Sequence, residues 1–98
     1  MPKLKRITSH YYGLLSSHRY HSFKTPKDKE SKLFLDMANN GGEVTFIVNR
    51  ADRGEPLEIY NPETGIYTYP LEPGMRYVIT VRAIMAKGHY IFKLQIED

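Results

Sequence analysis

Four histidines, eleven acidic side chains and eight tyrosines are the groups in this chain that could do chemistry, and their spacing decides how much. His18 and His21 stand three apart, which places two side chains on one face of a helix but on opposite faces of a strand. The residues around them alternate as a strand, so the pair does not chelate from there, and His10 and His89 would join it only through the fold. No metal site is expected. Ser9, Ser16 and Ser17 neighbour His10 and His18 without a positioned acid, and no Gly-x-Ser-x-Gly elbow occurs. Glu55 with Glu58, and Glu63 with Glu72, sit in polar turn-like stretches with no apolar pocket to raise a carboxyl pKa. Gly41-Gly42 lacks the Lys-Ser/Thr that follows a phosphate loop. With no Cys, a disulfide framework, a thiolate metal site and a cysteine nucleophile are excluded together. The expectation is a protein that is not an enzyme and carries no cofactor.

Binding chemistry is better represented. Residues 1–32 hold eight Lys or Arg against Asp28 and Glu30, whereas residues 33–98 hold six against nine acids. A basic N-terminal third can serve a polyanion, or it can simply pack on an acidic body. Lys3, Lys5, Arg6, Arg19 and Lys24, with Tyr11, Tyr12 and Tyr20, form the natural platform for nucleic acid, because tyrosine rings stack on bases while cations meet phosphates. Tyr60, Tyr67 and Tyr69 crowd one turn and make a candidate exposed aromatic cluster, open to a glycan or a base. Tyrosine is also simply favoured in strands, where its ring packs and its hydroxyl stays wet.

Positioning these groups requires strands. From His18, the residues Tyr20, Ser22 and Lys24 oppose Arg19, His21 and Phe23, a weakly apolar alternation suited to a sheet edge. Residues 1–17 have no clean period and read as an irregular basic lead. Leu33, Leu35 and Met37 share a face, and Asn39-Asn40-Gly41-Gly42 is the strongest hairpin signal, answered by Val44, Phe46 and Val48. Burial of those six side chains is worth on the order of 10 kcal/mol before entropy. Leu57 and Ile59 mark a short strand, and Ile66 to Tyr69 another. Tyr77, Ile79, Val81 and Ala83 then line one face, Ala86-Lys87-Gly88 reads as a turn, and Tyr90, Phe92, Leu94 and Ile96 alternate after it. Phe34, Ile47, Ile84 and Ile91 fall on outward faces, and would suit dimerisation if they clustered or face the lead if it covered them.

The stretch Leu71-Glu72-Pro73-Gly74-Met75-Arg76-Tyr77 matches a tyrosine corner, in which a strand-leading Tyr bonds to backbone a few residues upstream. Residues 66–83 resemble the corresponding region of fibronectin type III and immunoglobulin-like domains. Residues 83–92 look like the closing hairpin of bacterial pre-peptidase C-terminal domains. No Trp is present, where fibronectin modules bury one, and no Arg-Gly-Asp occurs. The resemblance implies a non-catalytic module used for binding or spacing, with Tyr77 as the structural corner.

Together these readings give one all-β domain over residues 1–98, an antiparallel β-sandwich of about seven strands, immunoglobulin/fibronectin-like or jelly-roll-like. The expected function is a non-catalytic binding or protein-interaction module, with a protein partner or self-association. Nucleic-acid or polyanion binding through the N-terminal third is the alternative, and a glycan partner stays open. No apolar run is long enough to span a bilayer as a helix. No apolar h-region follows Met1-Pro2-Lys3-Leu4-Lys5-Arg6, so a cytoplasmic location is expected, or an extracellular one if a leader has been removed.

Overall fold

A computed structural model describes residues 3–52 and 54–97 of the chain. They form β1 (Lys3–Lys24), β2 (Ser31–Asn39), β3 (Glu43–Arg50), β4 (Leu57–Tyr60), β5 (Gly65–Leu71) and β6 (Arg76–Ile96). All pairings are antiparallel, in one sheet of order β4-β3-β6-β2-β5, with β1 on the other edge of β6. The sheet curls as a half-barrel. β6 is the spine: β1 pairs with nearly its whole length, while β3 takes residues 77–84 and β2 residues 88–96 of its opposite edge.

Three expectations are overturned. The 1–17 lead is not irregular, since from Lys3 onward it is the first arm of β1, paired with β6 rather than lying over the sheet. Its period is hidden by register shifts at Arg6/Thr8 and Gly13/Leu15, each of which turns the alternation over, while a third shift at Leu15/Ser17 places its extra residue on β6. Ala86-Lys87-Gly88 does not reverse the chain, because β6 runs through it. β2 and β3 are not a hairpin either: both pair with β6, end to end along one edge, and Asn39–Gly42 carries the chain from one half of the sheet to the other.

A single irregularity makes that geometry work. Tyr77, Ile79, Val81 and Ala83 point inward, then Ile84 and Met85 are both exposed, and the inward set resumes as Ala86, Tyr90, Phe92 and Leu94. Met85 has a left-handed φ of 49°, as an extra residue at a bulge requires. The β2–β3 connection seats on this bulge. Asn40 N–H donates to the Lys87 carbonyl at 2.6 Å, and Lys87 N–H to the Gly41 carbonyl at 3.1 Å. Gly42, at φ 74°, lies so close that a Cβ would run into the Met85 carbonyl.

The core fills the hollow between the two halves. Leu33, Leu35, Met37, Val44, Phe46 and Val48 are all buried, as their alternation anticipates. Phe46 meets Tyr90 and Phe92 edge-on at 5.5 and 5.2 Å, joining β3 of one half to β6 of the other. At the far end the Glu72 amide donates to the Tyr77 hydroxyl at 2.8 Å, five residues apart, which is tyrosine-corner geometry. Buried Thr25 locks the end of β1 to the same corner: its hydroxyl donates to the Glu72 carbonyl at 2.6 Å and accepts from the Met75 amide at 2.9 Å. Phe23 stacks on Tyr77 at 5.5 Å.

Tyr77→Phe leaves the Glu72 amide without its acceptor and is expected to lower unfolding free energy by about 1–2 kcal/mol, read from urea melts. Gly42→Ala combines left-handed backbone with a backbone clash, so a loss of about 3 kcal/mol or more is expected in the same assay.

Candidate functional site

Charge is sorted by strand. β1 and β6 together carry Lys3, Lys5, Arg6, Arg19, Lys24, Arg76, Arg82, Lys87 and Lys93 and all four histidines, and neither contains an Asp or Glu. The acids lie in the loops, on β2, β3 and β4, and after β6. Opposed residues of an antiparallel pair share a face, and the β1–β6 register sets Arg6 against Lys93, His18 against Arg82 and Lys24 against Arg76. Two rows of the outer surface therefore hold permanent cations side by side, and a third sets a histidine beside Arg82.

β1 bends with its partner, and its two arms come together along the open side of the half-barrel. Lys5, Arg6 and Ile7 from the first arm face Ser22, Phe23 and Lys24 from the second across a cleft of about 340 Å³, with Leu94 also lining it. Ile7 and Phe23 pack against the core, so the cleft has an apolar floor and cationic lips. Nearer the bend, the inward positions of the arms carry His10, Arg19 and His21, which oppose Tyr90, Val81 and Ile79. Tyr90, only 1% exposed, joins the two arms: the His21 Nε2 lies 3.1 Å from its hydroxyl, and the His10 ring centroid 6.0 Å from its own.

Both imidazoles hold a proton less tightly than a free histidine. Burial is the larger cause at each, the Arg19 guanidinium the next, and His10 adds to the effect at His21. His18 faces the outer surface, with its ring 4.8 Å from that of Tyr20. His18 and His21 are thus on opposite sides of their strand, while His10 and His21 both lie against Tyr90.

Of the residues singled out by sequence, Lys3, Lys5, Arg6, Tyr11, Tyr12, Arg19, Tyr20 and Lys24 all fall on β1. Tyr11 and Tyr20 are 65% and 64% exposed on outer faces. Tyr60, Tyr67 and Tyr69 are not brought onto one exposed surface. Tyr60 opposes Thr45 on β3, whereas Tyr67 and Tyr69 oppose Leu35 and Leu33 and pack against the core. The Tyr67 hydroxyl donates to the Glu63 carbonyl at 2.6 Å, and burial, then Tyr67, raises the pKa of Tyr69. Phe34 and Ile91 share the outer face of one half around Asp36, with Ile66 beyond, while Ile47 lies on the other half. Sequence reading missed Arg76, Arg82, Lys87, Lys93 and His89, because only the long-range pairing of β6 with β1 assigns them to the basic surface.

Neither a scan against protein-family models nor a search of curated proteins returns a match. Among the described residues no three His, Cys, Asp or Glu converge as a metal would need. No helix there is long and apolar enough to cross a membrane.

Because the folded state disfavours the protonated imidazoles, the unfolded chain binds more protons just below the free-histidine pKa of about 6.5. The stabilisation is complete above that value and is lost as pH falls through the lowered folded pKa values of His10 and His21. The urea midpoint is expected to drop from pH 7 to pH 5, and His21→Gln to flatten the slope.

Proposed function

We propose that the chain is a non-catalytic binding module that takes a polyanionic strand, in the form of single-stranded nucleic acid, along the β1–β6 ribbon. The observation that carries this reading is the sorting of charge: nine Lys or Arg and four His on two paired strands that hold no acid. Setting like charges opposite one another costs stability, a cost that a row of phosphates would relieve. The cleft between the arms of β1 offers cations on both lips, and exposed Tyr11 and Tyr20 offer ring faces to unstacked bases. A duplex would present its bases to neither. The finer description of the frame as an immunoglobulin- or jelly-roll-like sandwich belongs to the same proposal, supported by the Tyr77–Glu72 corner bond.

A second reading, a protein-interaction module, has its own observation. Among the described residues β1 pairs only with β6, which leaves its other edge open to an added strand. The cations on that edge oppose pairing with a like copy, so the partner on this reading is an acidic extended segment.

Fluorescence anisotropy with a labelled mixed-sequence single-stranded oligonucleotide tests the first reading. Five phosphate contacts, at about 0.7 counterion each, give an expected slope of about −3.5 for the logarithm of affinity against that of salt. Arg76→Gln with Arg82→Gln and Lys93→Gln is expected to weaken binding at least tenfold, as is Lys3, Lys5 and Arg6→Ala, with little change in melting temperature. Unchanged affinity in both triple variants would overturn it.

A further inference from the structure

We infer that His10, Arg19 and His21 form a pocket for a tetrahedral oxyanion of the phosphate class, and that filling it places a proton on the imidazole pair. This goes beyond strand binding on the outer surface, because these three side chains occupy inward positions of β1, where the two arms converge on Tyr90.

The geometry supplies each part of such a site. Tyr90 is fully buried and ringed by Phe46 and Phe92 at 5.5 and 5.6 Å, so it is a fixed anchor. It orients His21 through the 3.1 Å contact to Nε2 and has the His10 ring beside it. Arg19, two residues before His21 on the same face, is exposed and adds a planar fork of N–H donors suited to phosphate oxygens. The elements packed around this point add no countercharge. β2 contributes Met37 opposite Tyr90, β3 contributes Phe46, and β6 contributes Tyr90 together with His89, which lines an open hollow beside His10. Lys5 lies on the same face further along the first arm.

The choice of ligand follows from that inventory. A permanent guanidinium beside two imidazoles repels a metal cation, and no carboxylate on β1 or β6 is present to offset it. An arriving anion reverses the sign of the local field, so the two imidazoles become better proton acceptors. Binding then strengthens as pH falls. Either a free ion or the phosphoryl group of a nucleic-acid strand presents this chemistry.

Sulfate is the first probe, since its charge does not change over the pH range used. Imidazole resonances of the unaltered protein are followed by NMR against sulfate, and against chloride at matched ionic strength, between pH 5 and 8. Saturable sulfate binding about tenfold tighter at pH 5.5 than at pH 7.5, with upward-moving His10 and His21 pKa values, is the expected result. It should be lost in Arg19→Gln and His10→Gln, with His18 unaffected. Equal effects of chloride, or no saturation, would overturn the pocket. Titration with 5′-phosphorylated and unphosphorylated oligonucleotide separates the sources: a response to the phosphorylated form alone assigns the pocket to a terminal phosphoryl group. An oligonucleotide that binds without moving His10 or His21, where sulfate also fails, rejects the pocket and leaves the ribbon reading standing. Sulfate that binds where no oligonucleotide does supports the pocket and rejects the ribbon.

Discussion

The backbone of β6 holds the molecule together, because both of its edges are used along nearly all its length. β1 occupies one edge, and β2 and β3 divide the other between them, so these three strands are set in register with one another only through β6. A strand that serves two halves of a curled sheet must bend and yet keep its apolar face inward on both sides of the bend. Strict alternation does not permit this. The extra residue at Ile84–Met85 does, and Gly42, through its lack of a side chain, lets the β2–β3 connection close over the bulge. Tyr90 and Phe92 on one side of the bulge and Ile79 and Val81 on the other can then face the same core.

The same pairing concentrates positive charge. Nothing in the register of apolar side chains requires that β1 and β6 be free of acids, nor that Arg6, His18 and Lys24 lie opposite Lys93, Arg82 and Arg76. A sheet selected for stability alone would place Glu at some of those positions, since opposite charges across a ladder are favourable. The acidic groups are instead displaced to the loops and the other strands. That pattern costs folding free energy, since like charges face one another across the ladder. Inside the bend, the inward face of β1 departs from the rule again: where an apolar residue would complete the core, it carries His10, Arg19 and His21.

Much of this was legible before folding was considered. The inward residues of β2, β3 and β6 follow from simple alternation, the Tyr77 corner from Leu-Glu-Pro-Gly-Met-Arg-Tyr, and the edge character of residues 18–24 from their weak apolarity. The failures share one cause. Bulges at residues 6–8, 13–15 and 84–85 shift the phase of alternation, so a continuous strand reads as an irregular lead in one case and as two strands with a turn in the other. Asn-Asn-Gly-Gly reports positive φ correctly at Gly41 and Gly42, but positive φ also serves a connection that crosses between halves. The basic ribbon was half legible, as residues 3–24; its other half is separated from it in sequence and joins it only by pairing. The convergence of His10 and His21 on Tyr90 requires the bend in β1, which no local pattern encodes.

The order of the strands along the chain has a consequence in time. β1 is synthesised before β2 to β5, yet among the described residues it pairs only with β6, and the pairs between them run from Lys24–Arg76 to Lys3–Ile96. Until β6 exists, the most basic segment of the protein has no backbone partner, no core to cover and no bend to hold its arms together. Such contacts are the slowest kind to form, since each closes a long loop before any neighbour rewards it. The basic ribbon is therefore assembled only once β6 is in place, and a chain that stalls short of β6 leaves a long cationic strand without the ladder that orders it.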